Sequence, residues 1–318
     1  SFLKSRYRPE IDGLRAFAVF IITIYHFNKE ILPNGYLGVD IFFVISGYVI
    51  TSSLAVRKSK NFSEFLLSFY ERRIKRIFPS LIIFTLIIAF FNFLFNSSTV
   101  AFRTGIFSLF GLSNLYLYRQ SVDYFSVNTL LNPFTHTWSL GVEEQFYFIF
   151  PFLVWFTGFG RQSQNSIRNL FFSVLFLVSI SLFLFVYLYP INQPAAYFLM
   201  PTRFWEIASG CLLFLGTKKK YLFFEKVNNY FSLVIFLGIL VVMFSQFSSA
   251  IFPTILVVIF TLILISLINE KTLLYKFFAN EKVRYVGLIS YSLYLWHWGI
   301  LALSRLTIGI HFWSVPCQ

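Results

Sequence analysis

The sequence predicts an all-α, polytopic membrane protein with about ten transmembrane helices, and composition is the first reason. The chain has 318 residues, of which 57% are hydrophobic and only 12% are charged, and its mean hydropathy is +0.71. Ordinary soluble domains carry about 25% charged residues. The second reason is that apolar runs recur along nearly the whole chain, and many approach the roughly 20 residues needed to cross a hydrocarbon core of about 30 Å.

Ten apolar segments are expected to be embedded in the membrane, and together they form a single domain over residues 1–318. Their predicted ranges are 11–28, 36–55, 77–95, 104–118, 135–157, 169–189, 202–216, 230–246, 251–268 and 285–304. A basic amphipathic stretch from Asn61 to Phe78 separates the second segment from the third, and Pro79 follows it. No soluble domain or long linker is visible in the sequence.

The distribution of positive charge indicates on which side of the membrane the chain starts. Lys4, Arg6 and Arg8 precede the first segment, and the stretch 57–76 follows the second. The positive-inside rule places both in the cytoplasm. Later basic loops obey the rule only if the short segment 104–118 turns back within the membrane, so the number of crossings stays open.

Composition and motifs also exclude some classes of function. The formal net charge of +13 is what basic cytoplasmic loops produce in a membrane protein, so it is no argument for nucleic-acid binding. Cys211 lies in an apolar segment and Cys317 near the end of the chain, which indicates neither a disulfide framework nor a metal site. No ligand spacing typical of a metal site occurs, and no glycine-rich phosphate loop does.

Arg15 and His26 lie in the first segment, separated by an otherwise apolar run. In a helix their spacing places both side chains on one face, about 16 Å apart along the axis. Ionisable groups within a bilayer usually face a protein interior or a wet cavity, and they mark functional sites. These two residues are therefore the first candidates for a site.

Asp40 opens the second segment and is the candidate partner of His26. Helices joined by a short loop pack antiparallel, so we expect Asp40 to lie at the depth of His26. A carboxylate that accepts a hydrogen bond from the imidazole fixes its tautomer, which suits the ring to act as a general base. A purely structural His–Asp pair is the alternative, and the spacing does not decide between them.

A basic cluster, Arg72, Arg73, Lys75 and Arg76, lies at the predicted cytoplasmic edge of the membrane. Arg72 and Arg76 share a helical face, and Arg73 nearly joins it. Such a set can hold phosphate groups through charge-assisted contacts. The alternative is that the cluster only keeps this loop inside or contacts anionic lipid, and charge alone favours that alternative.

The head of the fifth segment combines Trp138, Glu143, Glu144 and Gln145. Acids and amides are costly in a bilayer unless they are paired or hydrated. The two glutamates point about 100° apart on a helix, so we expect only one of them to face a common cavity. A favourable interaction of the acids with the helix dipole is the alternative explanation.

His297 is a second histidine within an apolar segment, and it lies among the aromatic residues of the last one. A hydrogen-bonded core histidine is the ordinary explanation at such a place. Because ionisable groups within a bilayer mark function, His297 is kept as a candidate on the substrate side of the site.

In this combination and order, these blocks resemble the membrane acyltransferase family 3, whose enzymes O-acylate carbohydrates at bacterial surfaces. The resemblance runs from about Arg8 to Arg305. The matching blocks are Tyr7 to Ala16 leading to an arginine and a histidine with ten residues between them, Gly38 to Gly47, Arg72 to Pro79, and His136 to Phe146. Four blocks in the same order make the resemblance specific.

The resemblance implies an enzyme that takes an acetyl or other short acyl group from cytoplasmic acyl-CoA, without a metal. It implies delivery to a hydroxyl of a cell-surface or exported carbohydrate, such as lipopolysaccharide or cell-wall polysaccharide. The enzyme would be a multi-pass protein of the bacterial cytoplasmic membrane with its N-terminus in the cytoplasm. His26 would be the essential base or a transient acyl carrier, and Arg15 and the basic cluster would hold the coenzyme.

The block from His136 is similar to a subgroup that often carries an SGNH hydrolase-like domain outside the membrane. The chain stops at Gln318 without that domain. We therefore expect either a truncated form or a separate SGNH-type partner protein, besides membrane lipid as surroundings.

A mechanism follows as a hypothesis. Asp40 orients His26, Glu143 is the third catalytic candidate, and Trp138, Glu144 and His297 shape the carbohydrate side. The rival hypothesis is an exporter of a lipid-linked sugar that uses the intramembrane charges as a relay. Transporters often contain inverted repeats, and no convincing repeat is visible here.

Overall fold

The computed structural model describes residues 7–120, 127–218 and 230–309. Lys4, Arg6 and Cys317 lie outside these ranges. Within them the secondary structure is helical and contains no strand. The all-α fold class predicted from composition is therefore confirmed.

Fourteen α-helices lie within the described ranges and are numbered in chain order. They are α1 Pro9–Phe27, α2 Gly38–Ala55, α3 Phe62–Phe95, α4 Thr99–Leu109, α5 Ser113–Arg119, α6 Trp138–Phe156, α7 Ser166–Leu188, α8 Gln193–Phe198, α9 Met200–Lys218, α10 Phe231–Phe244, α11 Ile251–Leu267, α12 Leu273–Phe278, α13 Glu281–Leu288 and α14 Ser290–Leu306. Short 3₁₀ turns occur at Gly35–Leu37, Val127–Leu131 and Thr135–Thr137.

Helix length and apolarity support a polytopic membrane protein. Four stretches of the described chain are long and apolar enough to cross a bilayer, and the bent pair α13–α14 makes a fifth. The four are Gly35–Ala55, Phe62–Phe95, Ser166–Leu188 and Gln193–Lys218. The shorter apolar helices α10 and α11, the charged helix α1, the helix α6 and the pair α4–α5 account for the other predicted segments.

Three predicted boundaries differ from the observed helices. The amphipathic stretch and the third segment form one helix, α3, which begins at Phe62 with the Asn61 side chain accepting a hydrogen bond from the Glu64 amide at 2.8 Å. Pro79 lies within that helix without ending it. The capped start and the apolar face of α3 stabilise the helix, so that it continues beyond Pro79.

The other two differences are breaks. Segment 104–118 divides into α4 and α5 at Gly111, whose φ of +66° is a left-handed conformation that glycine adopts without strain. Neither helix is long enough to cross a membrane alone. Segment 285–304 divides between Leu288 and Ser290, where α13 and α14 meet at 65°.

A very close helix contact in the interior joins α2 to α9. A β-carbon at Gly47 would lie 1.7 Å from the carbonyl oxygen of Ile207, and one at Gly210 would lie 2.0 Å from that of Val44. Only glycine allows the two backbones to approach so closely. This contact brings the first turn of α2 beside the charged first turns of α9.

Arg8 connects the start of α1 to the end of α11 through hydrogen bonds. Its guanidinium donates to the carbonyl oxygens of Ile265 at 2.7 Å and Ile268 at 3.2 Å, and it pairs with Glu10 at 2.6 Å. The last carbonyls of a helix have no intrahelical partner, and a cation is favourable there. Arg8 is thus a structural anchor in addition to a positive charge near the N-terminus.

Candidate active site

Three histidines from distant parts of the chain meet in what we call the histidine cluster: His26, His136 and His297. Nδ1 of His26 lies 2.9 Å from Nε2 of His297, and the two rings are nearly coplanar, with an angle of 18° between their planes and their centroids 5.1 Å apart. The ring centroid of His136 lies 5.8 Å from that of His297. His26 and His136 are buried, with 2% and 0% of their surfaces exposed.

Backbone contacts from α14 fix the geometry of this cluster. Arg305 donates a hydrogen bond to the carbonyl oxygen of His26 at the end of α1. Nδ1 of His297 lies 2.7 Å from the carbonyl oxygen of Tyr294. The Tyr294 hydroxyl donates to the carbonyl oxygen of His136 at 2.9 Å. One helix therefore contributes His297 and also holds the two segments that carry the other histidines.

A cavity of about 80 Å³ lies beside the histidine cluster, and we call it the polar cavity. A buried space of this size holds water only where polar partners surround it, and here five helices supply them. The charged and hydroxyl-bearing lining residues are Arg15, Ser46, Arg73, Arg76, Ser139, Glu143, Glu144, Tyr147, Ser290, Tyr291 and Tyr294.

Ser139 and Tyr294 join the polar cavity to the histidine cluster. Both line the cavity, and their hydroxyl oxygens lie 2.7 Å apart. The ring centroid of Tyr294 lies 5.4 Å from those of both His136 and His297. The charged cavity and the histidines are therefore neighbouring parts of one site.

Glu143 and Glu144 both line the polar cavity, which corrects the expectation that only one of them would. The Ser46 hydroxyl donates to Oε1 of Glu143 at 2.8 Å, and the Tyr147 hydroxyl donates to Oε2 at 3.4 Å. Glu144 lies against Gly111, where a β-carbon would come within 2.3 Å of its Oε2. The break between α4 and α5 leaves the room that the second carboxylate occupies.

Three arginines also line the polar cavity: Arg15, Arg73 and Arg76. Arg15 forms an ion pair with Asp12 at 3.0 Å. The guanidinium of Arg73 lies 5.0 Å from the ring centroid of Tyr147. The resemblance implies that Arg15 and the basic cluster hold the coenzyme together, and the fold brings Arg15 of α1 and two arginines of α3 to one cavity.

The other two members of the predicted basic cluster, Arg72 and Lys75, do not contribute to the cavity lining. Lys75 pairs with Glu71 at 2.5 Å on the exposed surface of α3. Arg72 precedes Arg73, and Lys75 precedes Arg76. Consecutive residues of a helix point about 100° apart, so the residue before a lining arginine points away from the cavity. Helix periodicity thus divides the cluster into a pair at the cavity and a pair away from it.

Asp40 lies against Arg203, which corrects the expected pairing with His26. Nη2 of Arg203 is 2.9 Å from Oδ1 of Asp40, and Nη1 is 3.0 Å from Oε1 of Glu206. We call Asp40, Arg203 and Glu206 the arginine cluster, and all three residues are at least 95% buried. The close contact of α2 with α9 turns Asp40 toward α9, so His297 occupies the place beside His26 that the spacing assigned to Asp40.

Trp138 belongs to the surroundings of the arginine cluster, with none of its surface exposed. The Arg203 guanidinium lies 5.4–5.8 Å from the ring centroids of Phe43, Trp138, Phe185 and Tyr197. Cation–π contacts of this kind stabilise a desolvated guanidinium. Trp138 does not line the polar cavity, so its expected place beside the carbohydrate is not supported.

His136, Ser139 and Tyr294 are parts of the site that the sequence did not single out. His136 and Ser139 lie in the motif at the head of the fifth segment, and Tyr294 lies just before His297. The available signal was that His136 is one of only four histidines in the chain. Its proximity to His297 depends on the packing of α14 and could not be obtained from spacing.

Within residues 7–120, 127–218 and 230–309, no group of three or more histidine, cysteine, aspartate or glutamate side chains is arranged to hold a metal ion.

Comparisons with known proteins confirm the resemblance. The model of the acyltransferase 3 domain family matches residues 8–317. The O-acetyltransferase OatA of Staphylococcus aureus strain NCTC 8325 / PS 47 is 32% identical over 309 residues, which cover 93% of this chain and 51% of OatA. SAS0844 of S. aureus strain MSSA476, provisionally named an O-acetyltransferase, is 33% identical over 317 residues, or 95% and 52% of the two chains. No solved structure matches significantly.

The chain spans about half the length of these curated relatives. The matched half contains the polar cavity and the histidine cluster, because both are built from residues between Arg15 and Arg305.

Proposed function

We propose that this chain, which belongs to the acyltransferase 3 family, is a membrane O-acetyltransferase. It would transfer an acetyl or other short acyl group from cytoplasmic acyl-CoA to a hydroxyl of a cell-surface or exported carbohydrate. The family match and the names of the relatives support acyl transfer. Acyl-CoA as donor and a carbohydrate as acceptor are the finer parts of the proposal.

The observation that carries the proposal is the continuity between the polar cavity and the histidine cluster through Tyr294. An acyl transfer needs a place for the donor, a base or nucleophile, and a place for the acceptor hydroxyl. Arginines at one end and an imidazole pair at the other meet the first two needs within a single site.

The arginines suit a phosphate-bearing donor such as coenzyme A. Arg15, Arg73 and Arg76 can each make charge-assisted contacts with phosphate oxygens. Arg76 is exposed and Arg15 is nearly buried, so the three lead inward from the surface. The cavity of about 80 Å³ accommodates a short acyl group.

The histidine pair suits the chemical step. His26 would act as general base toward the acceptor hydroxyl or as the transient acyl carrier. Glu143, which accepts from Ser46 in the same cavity, would exchange a proton during the transfer. Asp40 and Trp138 are left out of the catalytic set because the arginine cluster and its aromatic surroundings hold them.

The site would operate in a bacterial cytoplasmic membrane with the N-terminus inside. The positive-inside rule supports this orientation, and the antiparallel pair α1–α2 agrees with it. The acyl group would then reach the outer face near His26, where a carbohydrate or a separate SGNH-type transfer protein receives it.

The test is the variant His26→Ala in purified protein reconstituted into lipid nanodiscs. With labelled acetyl-CoA and a soluble oligosaccharide acceptor, acetyl transfer should fall by about 10²- to 10⁴-fold, the usual contribution of a general base. Thr23→Ala is the matched control, because the Thr23 hydroxyl only contacts the Val19 carbonyl oxygen of its own helix, at 2.8 Å, and its activity should match the wild type.

Retained transfer in His26→Ala would remove His26 from the mechanism. A wild-type protein that neither consumes acetyl-CoA nor acetylates an acceptor, but moves a lipid-linked sugar between leaflets, would support the exporter instead.

A further inference from the structure

We infer that His297 is a positioning residue that fixes the tautomer of His26, leaving the lone pair of His26 on Nε2. The inference rests on the proposed role of His26 and adds how that ring is prepared for it. It assigns to His297 the orienting function that sequence spacing had suggested for Asp40.

The first step is the hydrogen bond between His297 and a backbone carbonyl. Nδ1 of His297 lies 2.7 Å from the carbonyl oxygen of Tyr294. A carbonyl oxygen can only accept a hydrogen bond, so Nδ1 of His297 must carry the proton. A neutral imidazole has one protonated nitrogen, and the other nitrogen, Nε2, then has a lone pair.

The second step determines which nitrogen of His26 carries the proton. Nε2 of His297 lies 2.9 Å from Nδ1 of His26. Since Nε2 of His297 is the acceptor, Nδ1 of His26 is the donor and carries a proton. The neutral His26 ring consequently has its lone pair on Nε2. The two tautomers are assigned from the hydrogen-bond network, which determines both of them.

The opposite direction would require a doubly protonated His297. Its Nδ1 would still donate to Tyr294, and its Nε2 would donate to His26, so the ring would carry a positive charge. His26 is buried, with 2% of its surface exposed. The Arg305 guanidinium is close to it, because it donates a hydrogen bond to the His26 carbonyl oxygen. A second cation in this place is strongly unfavourable, because burial removes the water that would solvate an unpaired charge.

Packing also fixes the orientation of the His26 ring. Trp298 lies edge-on to His26 with the ring centroids 4.4 Å apart, and its indole N–H donates to the carbonyl oxygen of Asn132 at 2.8 Å. The ring is therefore confined between the hydrogen-bonded, nearly coplanar imidazole of His297 on one side and a fixed indole on another.

The assignment gives a balanced acyl-transfer step. Nε2 of His26 takes the proton of the acceptor hydroxyl while the hydroxyl oxygen forms a bond to the thioester carbonyl carbon. The carbon–sulfur bond breaks, and the proton on Nε2 passes to the thiolate sulfur of coenzyme A, which restores the neutral ring. During the step the positive charge on His26 is shared with His297 through Nδ1–H, and the Tyr294 carbonyl faces that charge. The acyl-carrier route uses the same lone pair.

The decisive measurement is the protonation state of each ring nitrogen, which ¹⁵N NMR reports directly. The protein, with histidine labelled in the ring, is reconstituted as in the activity assay, and its four histidines are assigned by single replacements with glutamine. We expect a protonated Nδ1 and an unprotonated Nε2 for both His26 and His297. A His26 ring protonated on Nε2 in the wild-type protein would overturn the inference, whatever its activity.

Two variants of His297 test whether the contact matters for the reaction. His297→Phe keeps an aromatic ring without an acceptor, and turnover at saturating acetyl-CoA should fall about 10²-fold while KM for the donor stays within about twofold. His297→Gln keeps an amide oxygen that can accept from Nδ1–H of His26, so it should recover at least tenfold of that loss. It should also preserve the His26 tautomer in the NMR spectrum.

Thr23→Ala is the matched control, since the Thr23 hydroxyl donates to the Val19 carbonyl oxygen of its own helix at 2.8 Å and belongs neither to the polar cavity nor to the histidine cluster. The His26 tautomer should be unchanged in this variant. Equal losses of turnover in His297→Gln and His297→Phe would overturn the positioning role. Activity retained in His26→Ala would instead refute the proposed function, while the spectra would still decide the tautomer.

Discussion

The arginine cluster and the polar cavity both contain acids and arginines within helices of a membrane protein, and they differ in what surrounds the charges. Asp40, Arg203 and Glu206 are at least 95% buried and are enclosed by aromatic rings. Glu143 and Arg73 face about 80 Å³ of space. One group is a structural contact between helices, and the other can receive a ligand.

This difference teaches that charge within a membrane segment does not by itself identify a functional residue. Such groups are costly in lipid and must be satisfied. An ion pair satisfies them inside the protein, whereas a hydrated cavity satisfies them and also leaves room for a substrate. Substitutions in the arginine cluster are therefore expected to lower stability, whereas substitutions in the polar cavity are expected to lower substrate affinity.

The largest expected effect is the loss of folded protein in Arg203→Met. The variant leaves two buried carboxyl groups without their cation, and removing one partner of a buried ion pair typically costs about 3–5 kcal/mol. Thermal unfolding in detergent, followed by fluorescence-detected size exclusion, should show a strongly lowered midpoint. If the variant unfolds like the wild type but turns over more slowly, the arginine cluster takes part in the reaction and the distinction between the two regions is wrong.

An intermediate effect is expected for Arg73→Gln, in substrate affinity and not in stability. Losing one charge-assisted contact worth about 2 kcal/mol should raise KM for acetyl-CoA about 30-fold with little change in kcat. Arg72→Gln is the matched control on the neighbouring position of α3, which does not line the cavity, and its KM should stay near the wild-type value.

Equal increases of KM in the two variants would indicate that general positive charge near the membrane surface attracts the donor. A fall of kcat in Arg73→Gln at unchanged KM would place this arginine in the transition state and not in donor binding.

The smallest effect is expected for Asp40→Asn. The amide oxygen can still accept from Arg203, and Glu206 still supplies a carboxyl oxygen 3.0 Å from the same guanidinium, so the free energy of unfolding should change by about 1 kcal/mol. Acetyl transfer should stay within about threefold of wild type. A loss as large as that of His26→Ala would return Asp40 to the catalytic group.

The sequence was sufficient for features that depend on neighbouring residues. Apolar composition and segment length predict the helical membrane fold, because a helix satisfies its own backbone hydrogen bonds wherever it lies. The motifs around Arg15, Arg73 and Glu143 indicate an acyltransferase, and these residues line one cavity. Spacing along a single helix predicts that Arg15 and His26 share a site; Arg15 lines the polar cavity, and His26 lies in the histidine cluster beside it.

The sequence was insufficient where a contact joins distant segments. Asp40 was expected beside His26 because their helices are consecutive, but the close approach of Gly47 and Gly210 aligns α2 with α9 and turns Asp40 toward Arg203. His297 is 271 positions from His26, and no periodicity relates two residues on different helices. The break at Gly111 is likewise explained only by a residue from another helix, because the Glu144 carboxyl group occupies the space beside this glycine.

The sequence by itself therefore determined that this is a helical membrane protein, which family it resembles and which side chains are available for chemistry. Only the tertiary structure decided which of those side chains face a cavity and which are enclosed in the core. The physical reason is that hydrophobicity and helix periodicity act over a few turns of one chain segment. The environment of a buried charge is instead set by every helix packed around it, as the four aromatic rings around Arg203 and the His26–His297 contact show.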